Sequence, residues 1–260
     1  MFKKLVPLIS LFLTQVDENT GKSASYIDLV ENAKRLSSFF ETKGYKFGDR
    51  IAIHTPNSLE YCYSAMGTLA SGLTLNTVNS AYTNYELKQL LNKSTPKVLI
   101  TSGKQVEQAR QCIDGTETDL LICVDDVHIN DSGVLNLTDI LKNGNPQFIK
   151  DLSNFDPKTE AAFLLYSSGT TGLPKGVRTS HTAFMSNVFQ ITDTCEEIYD
   201  SKSLLLLPMY HVGGLISFFV PLHNKNKTNI LPGFDPEQFL STIQQNKVSK
   251  EKKLKIFLKL

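Results

Sequence analysis

Along the first half of the chain, segments with apolar residues at helical spacing alternate with short, continuous apolar runs. Within residues 25–43 apolar side chains recur at every third or fourth position, a spacing that predicts an amphipathic helix. The continuous apolar run RIAIH that follows predicts a short buried strand, and the segment after it predicts a second helix that ends at Gly72. The chain therefore begins with a helix, a strand and a helix in succession.

Polar residues at the predicted helix starts support these assignments. Ser, Thr, Asn and Asp side chains are preferred there because they accept hydrogen bonds from backbone N–H groups that have no partner within the helix. The predicted starts are Ser25 with Asp28, Asn57 or Ser58, Thr83 with Glu86, Ser180, and Asp235 followed by Pro236.

The same alternation continues through the rest of the chain, with further strands predicted at KVLIT, DLLICVD, AAFLLY and SLLLLP. Strands that alternate with helices of about ten or more residues are typical of βαβ units, whose parallel strands are buried on both faces and read as continuous apolar runs. The pattern predicts an α/β protein built of doubly wound βαβ subdomains. The looser stretch 128–158 is interpreted as a connection between two such sheets.

Composition and charge narrow the classes of partner. The 27 lysine and arginine residues nearly balance the 26 acidic residues, so no overall electrostatic field favours nucleic acid or an anionic membrane as the principal partner. No run reaches the roughly 20 apolar residues that cross a bilayer, and we predict no transmembrane segment. The four cysteines are scattered without Cys-x-x-Cys spacing, which favours free thiols in a reducing compartment.

Residues 167–177, SSGTTGLPKGV, combine hydroxyls, glycines and a lysine directly after the predicted strand AAFLLY. Glycines permit conformations in which successive N–H groups converge on an anion, and ligands of open α/β sheets bind beyond the carboxyl ends of strands. The run therefore suits a polyphosphate. It departs from the P-loop of kinases and GTPases, because Lys175 is followed by Gly176 and no hydroxyl is placed to hold magnesium. The candidate phosphate-binding residues are Ser167, Ser168, Gly169, Thr170, Thr171, Gly172 and Lys175.

This run resembles the phosphate-binding signature of the adenylate-forming, or AMP-binding, superfamily. Residues 207–215, LPMYHVGGL, are similar to the second signature of that superfamily, and residues 48–87 resemble its N-terminal subdomain in order and spacing. The resemblance covers residues 21–249 and favours the branch of acyl-CoA synthetases and 4-coumarate-CoA ligases.

The resemblance implies an acid-thiol ligase that joins a carboxylic acid to AMP at the expense of ATP and then transfers the acyl group to coenzyme A. Its cofactors would be ATP, Mg²⁺ and coenzyme A, and the loop residues would hold the phosphates. His211 matches the family histidine beside the carboxylate and adenylate, with Gly213 and Gly214 along the acyl pocket. From the residues alone, His211 also fits a buried histidine at a strand end.

The resemblance further suggests a division of the chain. Residues 1–20 are interpreted as an atypical N-terminus, either a weak first helix or an atypical exon start. Residues 21–249 are interpreted as part of an AMP-binding large domain, and residues 250–260 as a lysine-rich tail. The family's C-terminal lid domain, its magnesium-binding glutamate and its ribose-binding aspartate have no counterpart here. We therefore expect little activity of this chain alone and assign no metal ligand. The alternative is a non-catalytic homologue that binds a nucleotide or a partner.

The acid substrate and the oligomeric state are left open by the sequence. Ligases of this kind are cytoplasmic or peroxisomal, and the terminal LKL of this chain is not a Ser-Lys-Leu peroxisomal address.

Overall fold

A computed structural model describes residues 14–125, 133–167, 175–194 and 202–246. These residues form two compact units. The large-sheet unit comprises the described residues of Leu29–Pro56 and Glu60–Phe184. The small-sheet unit comprises those of Met1–Asp28, Asn57–Leu59 and Met185–Leu260.

The described residues contain helices and strands in alternation. The helices are α1 Tyr26–Thr42, α2 Leu59–Ala70, α3 Asn84–Ser94, α4 Val106–Ile113, α5 Leu137–Asn143, α6 His181–Thr194, α7 Val212–His223 and α8 Pro236–Asn246, with a 3₁₀ turn at Gly103–Gln105. The strands are β1 Thr14–Asp17, β2 Ser23–Ser25, β3 Arg50–His54, β4 Thr74–Thr77, β5 Val98–Thr101, β6 Leu120–Cys123, β7 Val134–Asn136, β8 Ala161–Ser167, β9 Lys175–Ser180, β10 Ser203–Leu205 and β11 Thr228–Ile230.

The large-sheet unit is a parallel sheet with one antiparallel edge. Among its described residues the strand order is β7-β6-β5-β3-β4-β8-β9, and every neighbouring pair is parallel except β8 with β9. The inner strands β3, β5, β6 and β8 are largely apolar, and Ile51, Ile53 and Leu99 are completely buried. The inner strand β4 has the sequence TLNT and was not predicted. Burial on both faces explains the continuous apolar runs of the sequence, and the predicted α/β class is confirmed.

Two predicted capping boxes are confirmed at the starts of α1 and α3. The Asp28 N–H donates to Ser25 Oγ at 3.1 Å, and the Ser25 N–H donates back to Asp28 Oδ2 at 2.7 Å. Thr83 and Glu86 make the same reciprocal pair, and the bonds donated by Thr83 lower the pKa of the Glu86 carboxyl. Ser180 and Asp235 accept from the N–H groups of Ala183 and Gln238, as predicted for the starts of α6 and α8.

The prediction of a connecting segment at 128–158 was wrong. This stretch contains β7, which pairs in parallel with β6, and α5, which Asn136 caps by accepting from the Thr138 N–H at 2.8 Å. The strand AAFLLY, now β8, joins the same sheet beside β4 and does not begin a second doubly wound sheet. A three-residue strand carries too little periodicity to be recognised, because its stability comes from the neighbouring strand.

The small-sheet unit contains a four-stranded sheet within the described residues, in the order β10-β11-β1-β2. Strands β10, β11 and β1 are parallel, and β2 runs antiparallel to β1. Strands β1, β2 and β11 and helix α7 were not predicted. Residues 1–13, with the proposed weak first helix, and the tail 250–260 lie outside the described residues.

The cysteines support the prediction of free thiols. Cys62, Cys112 and Cys123 are buried and free, whereas Cys195 lies outside the described residues. Burial raises the pKa of the Cys112 and Cys123 thiols, so both are protonated at neutral pH. In the described part of the chain, no helix is both long and apolar enough to cross a membrane.

Candidate functional site

A β-hairpin of the large-sheet unit carries the ends of the predicted phosphate loop. Strand β8 ends at Ser167, strand β9 begins at Lys175, and these two residues are cross-strand partners. Because β8 runs parallel to β4, Ser167 lies at the carboxyl edge of the sheet, where open α/β sheets bind ligands. The intervening candidates Ser168, Gly169, Thr170, Thr171 and Gly172 lie outside the described residues.

Lys175 is exposed at the first position of β9. Side chains alternate along a strand, so Lys175 and Arg178 belong to opposite faces of β9, and Arg178 is exposed as well. Lys175 and Arg178 are therefore two exposed cations of the same strand. Only Lys175 is adjacent to the loop, so Arg178 can serve as its control.

The end of β8 is anchored in the core of the large-sheet unit. The Tyr166 ring packs against the buried apolar cluster that includes Leu91 and Leu99, and burial raises the pKa of its phenol. Nearby, the rings of Phe163 and Phe184 pack with centroids 4.4 Å apart. The loop therefore leaves the sheet from a fixed point, and Tyr166 stays neutral there.

His211 lies in the small-sheet unit as the N-cap of α7. Its Nδ1 accepts a hydrogen bond from the Gly213 N–H at 3.2 Å, and its carbonyl accepts from the Leu215 N–H at 3.2 Å. An imidazole that accepts at Nδ1 carries its proton on Nε2 when neutral. The cap thus leaves Nε2–H as the donor that His211 can offer to an anion.

The interpretation of His211 as a buried histidine at a strand end was wrong. The side chain is exposed, and the apolar segment after it is a helix whose first turn contains Gly213 and Gly214. Gly214 is buried against the preceding turn, where an added Cβ would lie 2.1 Å from the Pro208 carbonyl oxygen. Its small size allows this close approach of helix and turn.

The remaining described histidines have different environments. His181 begins α6, yet only 6% of it is exposed, and its ring packs on Phe155 with centroids 5.0 Å apart. His54 ends β3 and is completely buried. Burial lowers the pKa of both imidazoles to about 4, so neither is charged at neutral pH.

Asn57 is a residue whose role sequence reasoning missed. It was considered only as a possible start of α2, yet its buried carboxamide bonds to the chain around residues 207–209, just before His211. These partners lie about 150 positions away along the chain, so no local pattern could have revealed them. Among the described residues there is no group of three or more His, Cys, Asp or Glu side chains that could hold a metal ion.

The chain is similar to curated acyl-CoA ligases and to solved structures. It is 27% identical over 246 residues to 4-coumarate-CoA ligase 4 of Arabidopsis thaliana, covering 90% of this chain and 42% of the relative. It is also 27% identical over 256 residues to a long-chain-fatty-acid-CoA ligase of Bacillus subtilis, covering 87% and 45%. The crystal structure of ATP-bound MatB from Rhodopseudomonas palustris matches with a TM-score of 0.81 and 26% identity, over 94% of this chain and 47% of that one. The chain thus spans less than half the length of these relatives.

A family model described as AMP-binding enzyme matches residues 10–250. The matched range includes the three segments on which the resemblance rests, residues 48–87, 167–177 and 207–215. Family, curated relatives and solved structures agree with the superfamily inferred from the sequence. The chain belongs to the AMP-binding enzyme family.

Proposed function

We propose that this chain supplies the ATP-binding and carboxylate-binding segments of an acid-thiol ligase. Such an enzyme forms an acyl-adenylate and pyrophosphate from a carboxylic acid and ATP, then transfers the acyl group to coenzyme A. The observation that carries the proposal is the pairing of strands β8 and β9. These strands flank the hydroxyl- and glycine-rich segment, and β8 ends at the carboxyl edge of a parallel sheet. The names of the relatives, a 4-coumarate-CoA ligase and a long-chain-fatty-acid-CoA ligase, support the reaction class.

In this proposal the phosphates of ATP bind at the loop. Ser167, Ser168, Thr170 and Thr171 supply hydroxyl donors, Gly169 and Gly172 allow backbone N–H groups to converge, and Lys175 supplies positive charge. This donor set fits a polyphosphate, because charge-assisted bonds from lysine and oriented N–H groups both stabilise anions. We assign no residue to Mg²⁺, since the described part of the chain contains no group of acidic ligands.

His211 is assigned to the carboxylate in the first step. That step brings two anions together, so positioning and charge stabilisation account for most of the catalysis. The Nδ1 bond from Gly213 fixes the imidazole, and the Nε2–H is then a directed donor to an acid oxygen. We further propose that residues 21–249 belong to the large domain of the ligase, and that it works in the cytoplasm or the peroxisome, where buried free thiols persist.

Replacing Lys175 by alanine is expected to weaken ATP binding while leaving the fold intact. Loss of one charge-assisted contact to phosphate raises the dissociation constant by about 10- to 100-fold. Because Lys175 is exposed, the melting temperature should change little. Isothermal titration with ATP measures the affinity, and Arg178→Ala is the control, since it removes an exposed cation from the other face of β9. Equal ATP affinity of the two variants would refute the phosphate role of Lys175.

Two substitutions of His211 separate its capping role from its proposed chemical role. His211→Ala removes both, and loss of the N-cap should lower the free energy of unfolding by about 0.5–2 kcal/mol. His211→Asn keeps an acceptor for the Gly213 N–H and should leave stability nearly unchanged. In a full-length form of the enzyme, both variants should reduce acyl-adenylate formation by roughly 100-fold or more, with a smaller effect on ATP affinity. If His211→Asn retains full adenylation, His211 only caps α7.

The reaction itself is tested by pyrophosphate release from ATP with aromatic, medium-chain and long-chain acids, with and without coenzyme A. Release that depends on an acid supports the ligase and identifies its substrate class. Little or no release is expected of this chain alone, which spans less than half the length of its relatives. ATP binding without release for any acid in a longer form that includes the family's C-terminal domain would contradict the ligase and favour the non-catalytic nucleotide-binding homologue.

A further inference from the structure

Asn57 is a buried polar residue with no role in the proposed chemistry. Only 4% of it is exposed, and Asn57–Leu59 belongs to the small-sheet unit. A buried carboxamide destabilises a protein unless its two N–H donors and its oxygen all find partners. The partners of Asn57 therefore indicate what the residue holds in place.

The Asn57 carboxamide makes three hydrogen bonds to the backbone. Its Nδ2 donates to the Leu207 carbonyl at 3.0 Å and to the Leu231 carbonyl at 3.2 Å, and its Oδ1 accepts from the Met209 N–H at 2.8 Å. Only one orientation of the amide satisfies these groups, since a flipped amide would set its oxygen against two carbonyls. Both donors and the acceptor are thus used, and the bonds to Leu207 and Met209 bracket Pro208.

The turn held by Asn57 is the turn that presents His211. The Pro208 carbonyl accepts from the His211 N–H at 3.0 Å, and Gly214 packs directly against that same carbonyl. Residues 207–211 are therefore fastened at one end by Asn57 and at the other by the first turn of α7. A change in the position of Met209 would be passed to His211 two residues later.

Asn57 is itself anchored within the small-sheet unit. Two residues along the chain, the Leu59 N–H donates to Asp17 Oδ2 at 3.4 Å. The other oxygen of Asp17 accepts from the N–H groups of Asn19 and Thr20 at 3.0 and 3.1 Å, directly after β1. The support for the turn is therefore continuous from β1 through Asn57 to residues 207–209.

We infer that Asn57 is a positioning residue for His211, acting through its three backbone hydrogen bonds. The structural part of this inference stands by itself, whereas its consequence for catalysis rests on the proposed function. Removing the carboxamide should release residues 207–211 locally and leave the far end of α7 in place. The Asn226 N–H, which donates to the Pro221 carbonyl at 2.9 Å, marks that far end.

Amide hydrogen exchange of the whole chain tests the inference without any requirement for activity. In Asn57→Ser, the His211 and Gly213 amides should exchange at least about tenfold faster than in the wild type, with the Asn226 amide changing much less. The matched control is Asn229→Ser, which removes another fully buried carboxamide of the same unit, bonded instead to Ser203. It should not accelerate the His211 and Gly213 amides relative to Asn226.

If Asn57→Ser does not fold, Asn57→Gln keeps an uncharged amide but displaces it by one methylene group from its three backbone partners, and the same local acceleration is expected. Equal acceleration at His211, Gly213 and Asn226, or none at His211 and Gly213, would overturn the inference. Where the chain or its longer form adenylates an acid, Asn57→Ser should lower kcat and leave ATP affinity unchanged. Absence of any turnover would count against the proposed function, and the exchange result would still decide the role of Asn57.

Discussion

Gly214→Ala is expected to be among the most destabilising single-methyl additions in this protein. The added Cβ would lie 2.1 Å from the Pro208 carbonyl oxygen, 2.4 Å from its carbon and 2.7 Å from the Leu207 carbonyl oxygen. All three are backbone atoms, so they can move only if the turn that carries His211 moves with them. Overpacking of a buried site lowers the free energy of unfolding by about 1–3 kcal/mol and sometimes more. Because these contacts are so short, we expect Gly214→Ala to lower it by about 3 kcal/mol.

Thermal unfolding of the purified chain measures the effect. A loss of about 3 kcal/mol corresponds to a fall in melting temperature of roughly 10 °C for a chain of this size. Two glycines in the same unit provide controls. A Cβ at Gly213 would meet a side-chain carbon of Leu207 at 3.0 Å, and one at Gly233 would meet nothing within 4 Å. If Gly214→Ala unfolds at the same temperature as these controls, the turn of residues 207–211 can move to accept the methyl group and the prediction is wrong.

The parts of the fold that were predicted from sequence depend on local signals. The capping boxes at Ser25 and Thr83 each lie within four residues. The predicted inner strands β3, β5, β6 and β8 are apolar runs that need no knowledge of their partners, whereas β4, with the sequence TLNT, was missed. Such features can be identified in any window of about ten residues. The fold class followed because strands of this kind alternate with helices.

The parts that were missed depend on distant residues. Strand β1 is four residues long and pairs with β11, more than half the chain away. Strand β7 has three residues and is recognisable only beside β6. Helix α7 is apolar on all sides and has glycines at its second and third positions, so its sequence shows neither the amphipathic spacing nor the composition typical of a helix.

The candidate site also has parts that local sequence indicates and parts that depend on distant residues. The candidate phosphate loop was proposed because hydroxyls, glycines and a lysine are concentrated in 11 residues of sequence. The capping role of His211 was missed because α7 was missed. Asn57 could not have been identified, since its hydrogen-bond partners follow it by about 150 or more residues. Candidate residues that lie in one segment can therefore be proposed from sequence, whereas hydrogen bonds between distant segments required coordinates.

Stability is expected to fall as the pH drops below neutrality, because His54 and His181 are buried as neutral imidazoles. His54 Nε2 faces the Gln105 amide nitrogen at 3.4 Å, and that amide also donates to the Ser80 carbonyl. A proton on Nε2 would therefore meet a donor, and His54 is completely buried there. His181 packs its ring against Phe155, and burial lowers the pKa of both histidines from 6.5 to about 4.

The sign follows from comparing the folded and unfolded chains. Above about pH 6.5 neither state protonates these imidazoles, and their stabilising contribution is fully present. Between about pH 6.5 and 4 the unfolded chain binds two protons that the folded chain does not, so the free energy of unfolding falls by about 1.4 kcal/mol per pH unit for each histidine. The total is roughly 3 kcal/mol per histidine, and below about pH 4 both states are protonated.

Denaturant unfolding at several values between about pH 7.5 and 5 measures this slope. His54→Leu and His181→Leu should each remove the contribution of about one proton, and the double variant about two, whatever their stability at neutral pH. The slopes of the variants are compared with that of the wild type, so a cavity or a lost hydrogen bond does not obscure the result. An unchanged slope in the double variant would mean that the folded chain protonates both imidazoles as readily as the unfolded chain. The structure around His54, where Thr101 and Gln105 contact its ring, would then have to open to solvent at mildly acidic pH.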